Sequence, residues 1–61
     1  MENITQITYY FNNGKHMSIK KPLDEIITNN TCTVVWRASQ GQLRKMQFNC
    51  DKLDYKVYEY I

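Results

Sequence analysis

The side chains that could support catalysis in this 61-residue chain are few, and their spacing does not favour an active site. His16 is the single histidine, and Ser18 lies two positions further along the same predicted strand, so the two side chains share a face. A serine nucleophile also needs an oxyanion hole and a cleft that excludes water, and so small a sheet is expected to offer neither. Asp51 and Asp54 form a carboxylate pair at i and i+3, a spacing typical of a cap or a turn. We therefore expect the protein not to be an enzyme.

The two cysteines, Cys32 and Cys50, are the next candidates for chemistry. Together with one histidine they cannot complete a four-ligand zinc site without borrowed carboxylates, so neither a metal nor another cofactor is expected. Both fall near the open end of a predicted hairpin, where a disulfide requires Cα atoms within about 7 Å. The chain starts without a basic segment and an apolar run, so a reducing, cytoplasmic compartment and two free thiols are predicted.

The basic side chains give weak evidence for a nucleic-acid partner. The formal net charge is +2, which by itself does not indicate a polyanion partner. Strand surfaces that mix basic and aromatic residues can nevertheless stack bases and neutralise phosphates. A nucleic-acid contact, our second hypothesis, would use six residues of the two predicted hairpins: Lys15, Lys20, Lys21, Arg37, Arg44 and Lys45. Asp51, Asp54 and Glu59 interrupt any large stripe of positive charge. The sequence has no run of 18 apolar residues, so no membrane span is predicted.

Residues 31–50, TCTVVWRASQGQLRKMQFNC, organise the elements that would position these side chains. Their apolar residues alternate as in a β-hairpin with one buried face. The predicted turn is a three-residue loop at 39–41, closed by Gly41 in the left-handed region. This register gives four opposed pairs: Ala38 with Gln42, Trp36 with Arg44, Val34 with Met46, and Cys32 with Phe48.

An earlier hairpin is predicted to have the same design. Residues 4–11, ITQITYYF, alternate as a strand rich in β-branched and aromatic side chains. A three-residue loop at 12–14 keeps the apolar side chains on one face, whereas a two-residue turn at Asn13 and Gly14 would scatter them. The favoured register pairs Tyr9 with Met17 and Ile7 with Ile19.

Between the hairpins, residues 21–30 are predicted to form a short helix. Pro22 suits the first helical position, and Asn29 or Asn30 suits a left-handed C-cap. Three apolar residues fall on one helical face at i, i+3 and i+4: Leu23, Ile26 and Ile27.

Residues 55–61, YKVYEYI, are predicted to close the chain as a final strand. The predicted fold is a single α+β domain of order ββαβββ. It contains an antiparallel sheet of four to five strands, with the short helix packed on the face that carries Trp36.

The two faces of this sheet have different expected roles. The helix is expected to cover the more apolar set: Ile7, Tyr9, Met17, Ile19, Val34, Trp36, Met46, Phe48, Tyr55 and Val57. The opposite face is expected to form a protein interface: Tyr10, Val35, Arg37, Leu43, Lys45, Tyr58 and Tyr60. Tyrosine and arginine are enriched at interface hot spots, so a protein-binding role is the leading hypothesis. A second copy of the chain, giving a homodimer, is a third.

In size, in composition and in the lack of a catalytic motif, the chain looks similar to the short accessory proteins of bacteriophages and mobile elements. This resemblance implies a protein that binds a host protein and occludes it.

Overall fold

The computed structural model describes Met1 and residues 3–61, and it is built almost entirely of β-strands. The strands are β1 (Ile4–Phe11), β2 (His16–Lys20), β3 (Asp24–Thr28), β4 (Thr31–Arg37), β5 (Leu43–Asn49) and β6 (Leu53–Tyr60). A 3-10 turn, Cys50–Lys52, precedes β6. The strands form two three-stranded antiparallel sheets: sheet 1 in the order β2-β1-β6 and sheet 2 in the order β3-β4-β5. Within the described part of the chain, no helix has the length and apolar character needed to cross a membrane.

The register predicted for the first hairpin is confirmed. Tyr9 pairs with Met17 and Ile7 pairs with Ile19. The amide of Gly14 donates to the carbonyl of Phe11 at 3.1 Å, and Gly14 has a φ of 85°. That conformation is in the left-handed region, which closes a three-residue loop and which glycine adopts without steric cost.

The second predicted hairpin, now β4 and β5, is confirmed as well. Trp36 pairs with Arg44. The amide of Gly41 donates to the carbonyl of Ala38 at 2.8 Å, with a φ of 90° at the glycine. The other predicted pairs also occur: Val34 with Met46, Cys32 with Phe48, and Ala38 beside Gln42 through a backbone hydrogen bond.

The predicted helix over residues 21–30 is wrong. Asp24–Thr28 is strand β3, and a two-residue turn joins it to β4, since Thr28 pairs with Thr31. Asn29 and Asn30 have φ values of 50° and 60°, which is the pattern of a type I′ turn rather than of a helix cap. Consecutive β-branched residues at Ile26, Ile27 and Thr28 also favour a strand over a helix.

The predicted α+β class is therefore wrong too, because a second sheet takes the place of the helix. The face of sheet 2 that carries Trp36 packs against sheet 1. The ring of Phe48 makes edge contacts with Tyr9 and Phe11 of sheet 1, with centroids 5.2 and 5.1 Å apart. The fully buried core draws on both sheets: Ile7, Tyr9, Ile19, Cys32 and Val34.

The two faces of β6 are the reverse of those predicted. Leu53 pairs with Phe11, but Tyr55 pairs with Tyr10, so Asp54 is an extra residue at a β-bulge. Because a bulge shifts the alternation by one residue, Lys56 and Tyr58 oppose the buried Tyr9 and Ile7 and face inward. In contrast, Tyr55 and Val57 are exposed on the outer face.

Candidate functional site

A buried carboxylate joins the two sheets. Glu25 of β3 has a side chain that is only 6% exposed. It accepts hydrogen bonds from the hydroxyls of Tyr9, at 2.6 Å, and Tyr58, at 2.5 Å. The ammonium of Lys56 lies 3.3 Å away, and the thiol of Cys32 donates more weakly at 3.8 Å. One carboxylate thus connects the edge strand of sheet 2 to both β1 and β6.

The environment keeps this carboxylate charged. Burial tends to raise the pKa of Glu25, but the hydrogen bonds from Tyr58 and Tyr9 and the charge of Lys56 outweigh it, so the pKa is lowered. Burial likewise opposes the charge of Lys56, yet its contacts with Tyr58 and Glu25 raise its pKa. Burial and the nearby charge of Glu25 raise the pKa of Cys32, which keeps this thiol protonated and unreactive.

We interpret this cluster as structural rather than catalytic. The oxygens of Glu25 already have tyrosine and lysine donors, and no buried side-chain polar atom among the described residues lacks a partner. Sequence reasoning missed it, because Glu25 was assigned to the helix and Tyr58 to the outer face. The bulge turns Lys56 and Tyr58 inward, and nothing in the local sequence marks its position.

A surface groove is the more promising functional feature. It is open, has a volume of about 690 Å³, and lies between β2 of sheet 1 and the end of β4 in sheet 2. That volume falls in the range of ligand-binding sites. Its lining combines apolar, hydroxyl and basic residues: Ser18, Ile19, Lys20, Lys21, Leu23, Trp36, Arg37, Ala38 and Ser39.

One wall of the groove is the free edge of a sheet. Among the described residues, strand β2 pairs with β1 only, so its other side has no neighbouring strand there. The amide of Lys21 donates to Thr5, and the amide of Phe11 donates to Lys15, both at 2.8 Å. Antiparallel strands alternate between hydrogen-bonded and non-bonded pairs. The backbone N–H and C=O groups of Ser18 and Lys20 therefore point away from β1, toward the side on which the groove lies.

The segment that leads from β2 to β3 is anchored at both ends and strained in between. The amide of Lys21 bonds to sheet 1, and the amide of Leu23 donates to Val35 of sheet 2 at 2.8 Å. Lys21 has a φ of 50°, an uncommon conformation for a residue with a long side chain, and it precedes the buried Pro22. Strain of this kind is often found at functional sites. The two backbone hydrogen bonds hold Lys21 in this conformation at the edge of the groove.

The groove brings together part of the predicted nucleic-acid set. Lys20, Lys21 and Arg37 line it. The guanidinium of Arg37 also donates to the carbonyl of Gly41 at 2.9 Å, which holds it to the adjacent hairpin loop. The other members lie elsewhere: Lys15 directly after the first hairpin loop, Arg44 opposite Trp36 on β5, and Lys45 on the outer face of sheet 2.

The predicted protein-interface set is divided among four places. Four members share the outer face of sheet 2, where they form the cross-strand pairs Val35 with Lys45 and Arg37 with Leu43. Tyr10 lies on the outer face of sheet 1, where its ring stacks on that of Tyr55 with centroids 4.5 Å apart. Tyr58 faces inward and binds Glu25, and Tyr60 is exposed at the end of β6.

Comparison of the chain with protein-family models, with curated protein sequences and with solved structures found no match. The assignment of function therefore depends on the geometry and chemistry of the groove and of the two outer faces.

Proposed function

We propose that this protein is a small non-enzymatic protein-binding module and that the groove between β2 and β4 is its contact site. The observation that carries the proposal is the combination of an open sheet edge with an apolar floor and a basic rim. Trp36 and Leu23 supply apolar surface, and Leu23 is 48% exposed. Tryptophan is among the residue types that dominate binding energy at interfaces.

This proposal relocates the contact surface that the sequence suggested. The aromatic and basic residues predicted for one face are spread over both sheets and the interior, whereas the residues of the groove are adjacent. The expected mode of action is unchanged: the protein binds a segment of another protein and occludes it, as its similarity to short phage and mobile-element accessory proteins implies.

Nucleic acid is the second candidate, and the cations of the groove favour it. Lys20, Lys21 and Arg37 beside an aromatic ring are the components from which single-strand binding sites are built. The affinity of such a complex falls linearly with the logarithm of salt concentration. A gel-shift experiment at low salt with single-stranded and duplex oligonucleotides tests this candidate directly.

The test of the main proposal compares two variants in affinity capture from an extract of the native cells. Lys20→Glu reverses a charge in the groove, and Lys45→Glu makes the same change on the exposed outer face of sheet 2. We expect a specific protein to be retained by the wild type and by Lys45→Glu but lost from Lys20→Glu. Loss from Lys45→Glu alone would return the contact to the outer face, and equal retention by both variants would remove the groove from the proposal.

Light scattering tests the homodimer hypothesis. A mass of twice the chain for the wild type would support the homodimer, and a mass of one chain would exclude it.

A further inference from the structure

We propose that the partner is an extended acidic peptide segment that binds as an additional strand on the free edge of β2. This inference rests on the proposed protein-binding function and specifies the chemistry of the partner. The groove would then hold a fourth strand of sheet 1, in the order partner-β2-β1-β6.

The backbone of β2 supplies the first argument. The N–H and C=O groups of Ser18 and Lys20 point away from β1, and no hydrogen bond to another described residue uses them. They form a row of alternating donors and acceptors. A peptide in extended conformation carries the complementary row at the same spacing, which is the basis of strand addition. A phosphodiester chain carries acceptors but no donors, so it would leave the carbonyl groups of this edge unpaired.

The side chains around the edge supply the second argument. In a strand added to β2, successive side chains would alternate between the two faces of sheet 1. Those on the inner face would contact Trp36 and Leu23, and those near the outer face would lie close to Lys20. The lining residues include no carboxylate, so alternating apolar and acidic side chains fit the groove.

The charge of the groove also argues against a second copy as the occupant. If β2 paired with β2 of another molecule, the incoming strand would bring its own Lys20 and Lys21 into an already basic groove. Lysine on an edge strand discourages such self-pairing. The same charges attract an acidic segment and speed its association.

The length of the complementary segment follows from the length of the edge. Strand β2 has five residues. At about 3.3 Å per residue, a partner segment would extend over roughly 17 Å. We therefore expect recognition of about five residues in extended conformation, with contacts to alternate side chains.

The experiment starts with a display library of random eight-residue peptides, selected on the intact protein. We expect the enriched peptides to alternate acidic and apolar residues and to bind more weakly to Lys20→Glu than to Lys45→Glu. The strongest binder is then synthesised with single N-methyl groups along its backbone. Methylation should weaken binding by about tenfold or more at every second position and leave it nearly unchanged at the positions between, because alternate amides face β2.

A matched pair of protein variants tests the same backbone hydrogen bonds by changing β2 instead of the peptide. Ser18→Pro removes the backbone N–H that faces the groove, whereas Ser18→Ala keeps it. Both variants lose the side-chain hydrogen bond between Ser18 and Thr8. We expect Ser18→Pro to weaken peptide binding by about tenfold and Ser18→Ala to have little effect. Should Ser18→Pro fail to fold, the N-methyl series still decides the question.

The outcomes separate this inference from the proposed function. Peptides that bind in a Lys20-dependent manner, but with no alternation in the N-methyl series, would overturn strand addition and leave protein binding at the groove in place. The absence of any enriched peptide, or equal binding to both charge variants, would overturn both. Binding of a twelve-residue oligothymidylate in preference to the selected peptides would show that the groove is a nucleic-acid site instead.

Discussion

Replacement of Glu25 with glutamine should cost this protein a large part of its stability. The substitution keeps the shape of the side chain but removes the charge that accepts hydrogen bonds from Tyr9 and Tyr58 and that pairs with Lys56. Lys56 has a side chain that is 21% exposed, so it would be left partly buried without a counter-ion. Removal of one partner from a buried ion pair typically costs about 3 to 5 kcal/mol. A domain of this length is expected to have a free energy of unfolding of roughly 3 to 9 kcal/mol, so Glu25→Gln approaches the limit of folding.

Urea unfolding, followed by the fluorescence of the single tryptophan, Trp36, measures this loss. Tyr58→Phe is the matched control, because it removes one hydrogen bond to the carboxylate and keeps the ion pair with Lys56. We expect it to cost about 1.5 to 3 kcal/mol, less than Glu25→Gln. In the double variant the two effects should not add, since they share the same carboxylate. A free energy of unfolding for Glu25→Gln within about 0.5 kcal/mol of the wild type would refute the role assigned to Glu25.

Two other predictions concern pH and the turn between β3 and β4. The pKa of Glu25 is lowered from its ordinary value of 4.5, so its charged form stabilises the folded state above that pH. This stabilisation is lost as the pH falls through the folded-state pKa. The difference in urea midpoint between the wild type and Glu25→Gln should therefore shrink below about pH 4.5. A constant difference across this range would contradict the charged state of Glu25. Asn29 has a φ of 50°, so Asn29→Ala should destabilise the protein by about 1 kcal/mol, whereas Asn29→Gly, which tolerates that conformation, should unfold near the wild-type midpoint. Equal midpoints for these two variants would contradict the type I′ turn.

The two confirmed hairpins show what local sequence can determine. In each, a glycine at the third loop position and apolar residues at every second position select one register, because a slip of one residue would expose the core face. Gly14 and Gly41 both adopt the left-handed conformation that this register requires. These are short-range constraints, and both hairpins form within about twenty residues.

The helix was mispredicted because three apolar residues fit two periodicities. Leu23, Ile26 and Ile27 have helical spacing, but Ile27 also alternates with Ile26 across the two faces of strand β3. Two adjacent asparagines suit a helix cap and a type I′ turn equally well in sequence. Tertiary contacts favour the strand over the helix, because a strand here pairs with β4 and places Glu25 beside Tyr9 and Tyr58. The β-branched residues Ile26, Ile27 and Thr28 were a local signal for a strand, but the contacts of Glu25 with the other sheet were not predictable locally.

The candidate site could be predicted only in part from sequence, again because it depends on tertiary packing. Lys20, Lys21 and Arg37 were identified by charge, and Trp36 was identified as a packing residue. These residues surround one groove only because sheet 1 packs against sheet 2. Sheet 2 was not predicted, so the groove could not be predicted either. The buried pair of Glu25 and Lys56 depends on a bulge at Asp54, and a bulge of one residue reverses which side chains face the core.

The buried carboxylate and the groove involve different strands of sheet 1, so we expect effects on stability and effects on binding to be separable. Glu25 fastens sheet 2 to β1 and β6, while the groove follows the free edge of β2 at the other side of the sheet. A ligand on β2 therefore need not break any contact of Glu25. At a temperature where Glu25→Gln remains folded, we expect it to bind the selected peptides with the wild-type dissociation constant, whereas Ser18→Pro should retain most of its stability and lose binding. Isothermal titration of both variants tests this, and a parallel loss of affinity and stability in Glu25→Gln would mean that the groove and the buried carboxylate act as one unit.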